Sequence, residues 1–121
     1  MPAEQELPYV RVVTAHGVSR FDTACLPLLP GANVPPGLAV TQTQTHGVTA
    51  LIVVRLPAGW SRARTTPARQ WMIVLTGTVE VATHDEVRRF GPGELVLAED
   101  TDGTGHTTTA IDDVTLAVIR I

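Results

Sequence analysis

Residues 70–77 read QWMIVLTG and residues 90–106 read FGPGELVLAEDTDGTGH. The first is a run of strand-forming side chains that ends on a glycine. The second opens on a Gly-Pro-Gly turn, passes through Leu95-Val96-Leu97-Ala98 and breaks again at Gly103 and Gly105 before His106. Short apolar or alternating segments bounded by glycine and proline mark closely spaced strands. The same rhythm extends outward, and strands are expected over residues 8–15, 49–55, 70–76, 78–83, 87–90, 95–98, 106–110 and 114–121. His16-Gly17 reads as a turn into Ser19, Arg20 and Phe21, residues 26–37 and 57–67 read as loops, and residues 38–45 alternate Thr with Gln before the turn at His46-Gly47. Val79 and Val81 alternate with Thr78, Glu80 and Ala82, which turns Glu80 to solvent. No stretch holds a helical apolar period for more than a turn or two.

Composition agrees with an all-β chain. Thr, Val and Ile make up nearly a third of the 121 residues, and these β-branched side chains lose little on a strand and more in a helix. The length allows one domain. With 44% hydrophobic and 17% charged residues the chain is neither a disordered tail nor a charged helical rod. The nine basic residues, all Arg, are scattered in a chain of net charge −3, which excludes a nucleic-acid footprint. A single cysteine, Cys25, forms no internal disulfide, and no apolar run approaches the ~18 residues of a membrane span. A soluble protein of the cytoplasm, with no membrane partner, is therefore expected.

The two quoted stretches, with Gln70 placed before Gly77 and His106 after Gly93, resemble the paired motifs of the cupins. The likeness runs from about Phe21 to Ile121. It implies a single-domain cupin, an antiparallel jelly-roll β-barrel over residues 21–121, with residues 1–20 as an amino-terminal strand or arm that such proteins exchange or pair in a homodimer. In metal-binding cupins the first motif supplies two His and a Glu, and the second a third His. Here the Glu position holds Gln70 and the last position His106. The two His positions fall on Ala63 and Thr65, or on Arg64 and Thr66, depending on the spacing used. The Pro of the second motif is Thr101, its Asn position is Ala110, and the interval from Gly93 to His106 is two residues longer than the pattern.

One imidazole and a neutral amide do not make a site for a divalent transition metal, which wants three or more N, O or S ligands. No metal and no other cofactor is expected. The remaining route to a metal would join His106 and Gln70 to His46 from a neighbouring strand. An imidazole as a class titrates near ~6.5 and suits His106 as general acid or base, with Gln70 orienting a carbonyl or hydroxyl. The plainer reading of His106 is a histidine that only hydrogen-bonds inside the barrel.

Arg64, in or beside a vacated His position, would offer a bidentate fork to a carboxylate or enolate. Met72 and Val74 share the parity of Gln70 and form an apolar wall. Trp60 either caps the pocket mouth or plugs the surface, and Trp71 faces away from Gln70 into an outer layer or a subunit contact. Arg69, Glu99 and Asp100 read as rim or turn residues, and His46 as a further pocket residue. No nucleophile is assigned to Ser19, Ser61 or Cys25. The resemblance to cupins of bacterial secondary metabolism implies a metal-independent isomerase, lyase or cyclase acting on a small molecule. The alternatives are a non-catalytic small-molecule-binding cupin and a metal-dependent enzyme with displaced ligands.

Overall fold

The computed structural model describes residues 5–31 and 40–121; the expected loop over 26–37 and the alternating stretch over 38–45 lie partly outside them. Among the described residues twelve strands are formed in this order: β1 (Glu6–Ala15), β2 (Val18–Pro27), β3 (Leu29–Pro30), β4 (Thr41–Gln42), β5 (Ala50–Leu56), β6 (Ser61–Arg64), β7 (Gln70–Thr76), β8 (Val79–Ala82), β9 (Val87–Phe90), β10 (Leu95–Ala98), β11 (His106–Ala110) and β12 (Val114–Arg120). Among the described residues no helix is long and apolar enough to cross a membrane.

Two sheets carry the fold. One has six strands in the order β2-β1-β10-β7-β12-β5, the other four in the order β6-β11-β8-β9, and β3 and β4 form a small ribbon apart. Alternation along each strand sends one set of side chains into the space between the sheets. Val12, Val74, Val79, Val81, Phe90, Val96, Val114 and Leu116 meet there as the core. The architecture is the all-β jelly roll expected. Pairing is antiparallel throughout except between β1 and β10, which run parallel with Val10 opposite Val96.

The amino-terminal segment forms part of the six-stranded sheet. β1 lies inside the six-stranded sheet, bonded to β2 over its whole length and to β10 on its other side, and the division at residue 20 falls within β2. His16 and Gly17 both have positive φ and make the two-residue turn between β1 and β2. β2 then runs on to Pro27, a proline tolerated because this strand is the sheet edge. Residues 61–64, read from sequence as loop, form β6 against β11. All four are exposed, so they carry no apolar alternation to announce a strand.

Glu99, just after β10, ties three elements together. Its carboxylate accepts from Arg11 Nε of β1 at 2.7 Å and from Arg69 Nε, next to β7, at 2.8 Å. Burial pushes the Glu99 carboxyl up, and the hydrogen bonds from Arg11 and Arg69 outweigh it, holding the group below its ordinary value. The folded value lies below the unfolded one, so this stabilisation is complete above the ordinary carboxylate range and is lost as pH falls through the folded value. Glu99→Gln is expected to cost about 1 kcal/mol at neutral pH, a figure kept low because Arg69 is largely exposed. The difference from wild type, measured by urea unfolding, should shrink to nothing in acid. A difference that persists unchanged at low pH would contradict this account.

Candidate functional site

Parity and register bring the site together. Gln70 and Met72 point inward from β7, Val96 and Ala98 from β10, Val12 from β1, Val81 from β8 and Val118 from β12. With His106 of β11, Arg64 of β6, and Thr66 and Pro67 they line one cavity between the sheets of about 60 Å³. Two register pairs place the polar groups. His106 stands directly opposite Arg64, and Gln70 opposite Arg120. Side chains so paired share a face and lie within reach of each other.

β11 can begin so close to β6 because residue 105 is glycine. A Cβ there would stand 2.4 Å from the carbonyl carbon of Arg64 and 2.6 Å from the Thr65 nitrogen. Its φ of 76° is also one that side-chain-bearing residues seldom adopt. The glycine just before His106 therefore sets where the imidazole enters the cavity.

The decisive neighbour of His106 is Asp100, read from sequence as a rim or turn residue and here fully buried. Its Oδ2 lies 2.6 Å from His106 Nδ1 and accepts a hydrogen bond from Ser19 Oγ at 2.6 Å. Ser19 is itself fully buried, so it serves as a support for the carboxylate and not as a nucleophile. Asp100 Oδ1 has no hydrogen-bond partner among the described residues. With Nδ1 committed to an acceptor, the proton of the neutral ring belongs on Nδ1 and the lone pair on Nε2. This is the arrangement that makes an imidazole a base toward whatever enters the cavity. Strand parity carried the signal for Asp100: it continues the inward series Val96, Ala98 by two.

Gln70 is fixed by a similar argument. Its Oε1 accepts from Arg120 Nε at 3.2 Å. A guanidinium N–H can only donate, so the amide oxygen must face Arg120, and the NH₂ group is the part left for the cavity.

Four of the six residues singled out from sequence, His106, Gln70, Arg64 and Met72, line this cavity, and two do not. His46 is exposed and lies on the other face of the six-stranded sheet, in a hollow with Trp71, Ile73, Leu95 and Ile119. The turn residues after β4 carry it outward, so alternation from Gln42 and Gln44 does not reach the cavity. Trp60 packs against the core and not at the mouth. It precedes Ser61, which faces Thr109 at the far end of β11 from His106. Trp71, as expected from its parity, faces away from Gln70, where it meets Tyr9 edge-on with ring centroids 4.9 Å apart.

The donor set does not fit a transition metal. His106 offers one nitrogen, the Gln70 oxygen is taken by Arg120, His46 is on another face, and a guanidinium stands opposite the imidazole. No group of three or more His, Cys, Asp or Glu able to hold a metal occurs among the described residues.

No protein-family model and no curated protein matches the chain. Solved structures do. A protein of unknown function from Rhizobium leguminosarum bv. viciae 3841 is similar at TM-score 0.53 and 28% identity, over 58% of this chain and 66% of its own. A putative ethanolamine utilization protein Q from Salmonella typhimurium LT2 is similar at TM-score 0.52 and 16% identity over 95% of both chains. A cupin-2 domain containing protein from Shewanella frigidimarina NCIMB 400 is similar at TM-score 0.48 and 19% identity, over 65% of this chain and 81% of its own.

Proposed function

From a chain that has the cupin fold, we propose a protein that takes a small molecule between its sheets and exchanges a proton with it through His106, without a metal. The observation that carries this reading is the buried Asp100 carboxylate 2.6 Å from His106 Nδ1, which leaves Nε2 as the ring's basic atom. A buried acid that accepts from both Ser19 and His106 is a costly feature for a scaffold, since burying a carboxylate without purpose destabilises the fold. Proton shift and elimination are the reaction types in keeping with one imidazole, one amide and apolar walls. Cyclisation of a long polyketide-like chain is less so. A cavity of about 60 Å³ is well below the roughly 300 Å³ at which sites for drug-sized molecules begin.

The test is mass spectrometry of a small-metabolite extract incubated in D₂O with wild type and with His106→Ala. Conversion or deuterium uptake in the wild-type sample alone supports the proposal. Equal signals in the two samples remove His106 from the chemistry. Ligand retention without conversion in either would favour the binding-protein reading.

We propose also that a second copy is the protein partner. The outer face of the six-stranded sheet is apolar: Leu51 and Val53 of its edge strand are 65% and 61% exposed. They stand opposite Ile119 and Ala117, on the same face as Trp71 and Ile73. An open edge beside an apolar face is the kind of surface that pairing of like chains covers. Light scattering should give about twice 12.9 kDa, and Leu51→Glu with Val53→Glu should halve it. A concentration-independent monomer for the wild type would refute the pairing.

A further inference from the structure

The cavity is unbalanced in charge. Arg64 lines it, is exposed, and its guanidinium makes no hydrogen bond or ion pair among the described residues. Arg11, Arg20, Arg69, Arg88 and Arg89 have carboxylate partners, and Arg55 and Arg62, which like Arg64 have none among the described residues, do not line the cavity. Arg120, on the second guanidinium beside the site, is matched only by the neutral oxygen of Gln70. No Asp or Glu lines the cavity, and the Asp100 carboxylate beneath His106 accepts from Ser19 and His106 through Oδ2 alone.

Of the polar groups left facing a ligand, Arg64 and Gln70 present donors, His106 presents the Nε2 lone pair, and Thr66 gives its proton to Ala68 O. Arg64 has its planar fork, Gln70 has its NH₂ because Arg120 holds the oxygen, and His106 has Nε2. Behind them the surface is apolar, made by Met72, Val96 and Val118. Such a set recognises a planar anion with a short apolar tail. The size agrees with a small ligand: about 60 Å³ is several times the ~10–15 Å³ that one water needs on the same measure.

Resting on the reading of this cavity as a ligand site, we infer that its ligand is a small monocarboxylate. The acid group sits on Arg64 and the Gln70 amide at the mouth, and the short chain lies inside against Met72, within reach of His106. The carboxylate would supply the countercharge that Arg64 lacks, and it would present the atoms adjacent to the acid group to the imidazole.

Propanoate and propanamide, alike in shape and differing in charge, serve as probes, in a buffer free of carboxylates. The readout is the ring Cε1–H resonance of His106, identified as the one of the four histidine signals that is missing from His106→Asn. The expected result is a saturable shift with propanoate, little shift with propanamide, and at least about tenfold weaker propanoate binding in Arg64→Gln, with Arg64→Lys between. Equal response to acid and amide would overturn the anion preference while leaving the cavity a ligand site. Propanoate binding unchanged in Arg64→Gln would overturn the role of Arg64. No response to either probe would overturn both this inference and the ligand-site reading beneath it.

Discussion

Asp100→Asn and His106→Ala are each expected to lower the proposed conversion by about 10²–10⁴, and the double variant to be no worse than His106→Ala alone. The reason is that the two side chains act as one group. Asp100 Oδ2, 2.6 Å from Nδ1, holds the ring in one tautomer and stabilises the imidazolium that forms when Nε2 takes a proton. An amide in its place removes the charge, and if its NH₂ turns toward the ring it reverses the tautomer. His106→Ala should fold normally, because the imidazole borders a cavity and contributes little packing. Asp100→Asn should cost roughly 1–3 kcal/mol in urea unfolding, since part of a buried polar group is left without a partner. Steady-state assays on the substrate class of the site decide the matter. An Asp100→Asn protein within threefold of wild type would separate the acid from the chemistry.

Gly77→Ala is expected to cost about 4 kcal/mol or more, against roughly 1 kcal/mol for Gly93→Ala. Both glycines have positive φ, 83° and 84°, so the backbone penalty is the same for the two. The difference is space. A Cβ on Gly77 would stand 2.3 Å from the Asp113 carbonyl oxygen and 2.9 Å from Val114 Cγ2, whereas one on Gly93 meets nothing within 4 Å. The carbonyl belongs to the turn that enters β12, and Asp112 Oδ1 in the same turn accepts from Thr78 N at 2.7 Å. The turn cannot retreat without losing that bond. Equal urea midpoints for the two variants would show that the enclosure of Gly77 carries no energy.

Many strands with one buried face were legible, although β2, of which only the turn into residues 19–21 was read, was not. Over residues 70–76, 87–90, 95–98 and 106–110 the apolar spacing and the flanking glycines placed the boundaries where β7, β9, β10 and β11 have them. Legibility failed at β6, where exposed Ser61, Arg62, Ala63 and Arg64 are held by backbone pairing to β11 and show no pattern of burial. It failed differently at His46, where alternation was extended across a turn that redirects the chain. Met72 could be named because it shares strand parity with Gln70, whereas Gln70, His106 and Arg64 were named from the motif positions that the resemblance to the cupins supplies. Asp100 was missed because it stands past the end of its strand, where an acid beside Thr101, Asp102 and Gly103 looks like part of a turn. Only the fold shows that the chain keeps its inward parity for one more step and buries the carboxylate beneath the imidazole.

The proposed chemistry requires one proton on His106 Nδ1, held there by Asp100. A long-range ¹H–¹⁵N correlation spectrum of the ring, with His106 assigned by the variant lacking it, reads that proton directly. The account predicts a neutral ring protonated on Nδ1, with Nε2 bare and shifting when a cavity ligand is added. A ring protonated on Nε2, with Nδ1 bare beside Asp100, would contradict it.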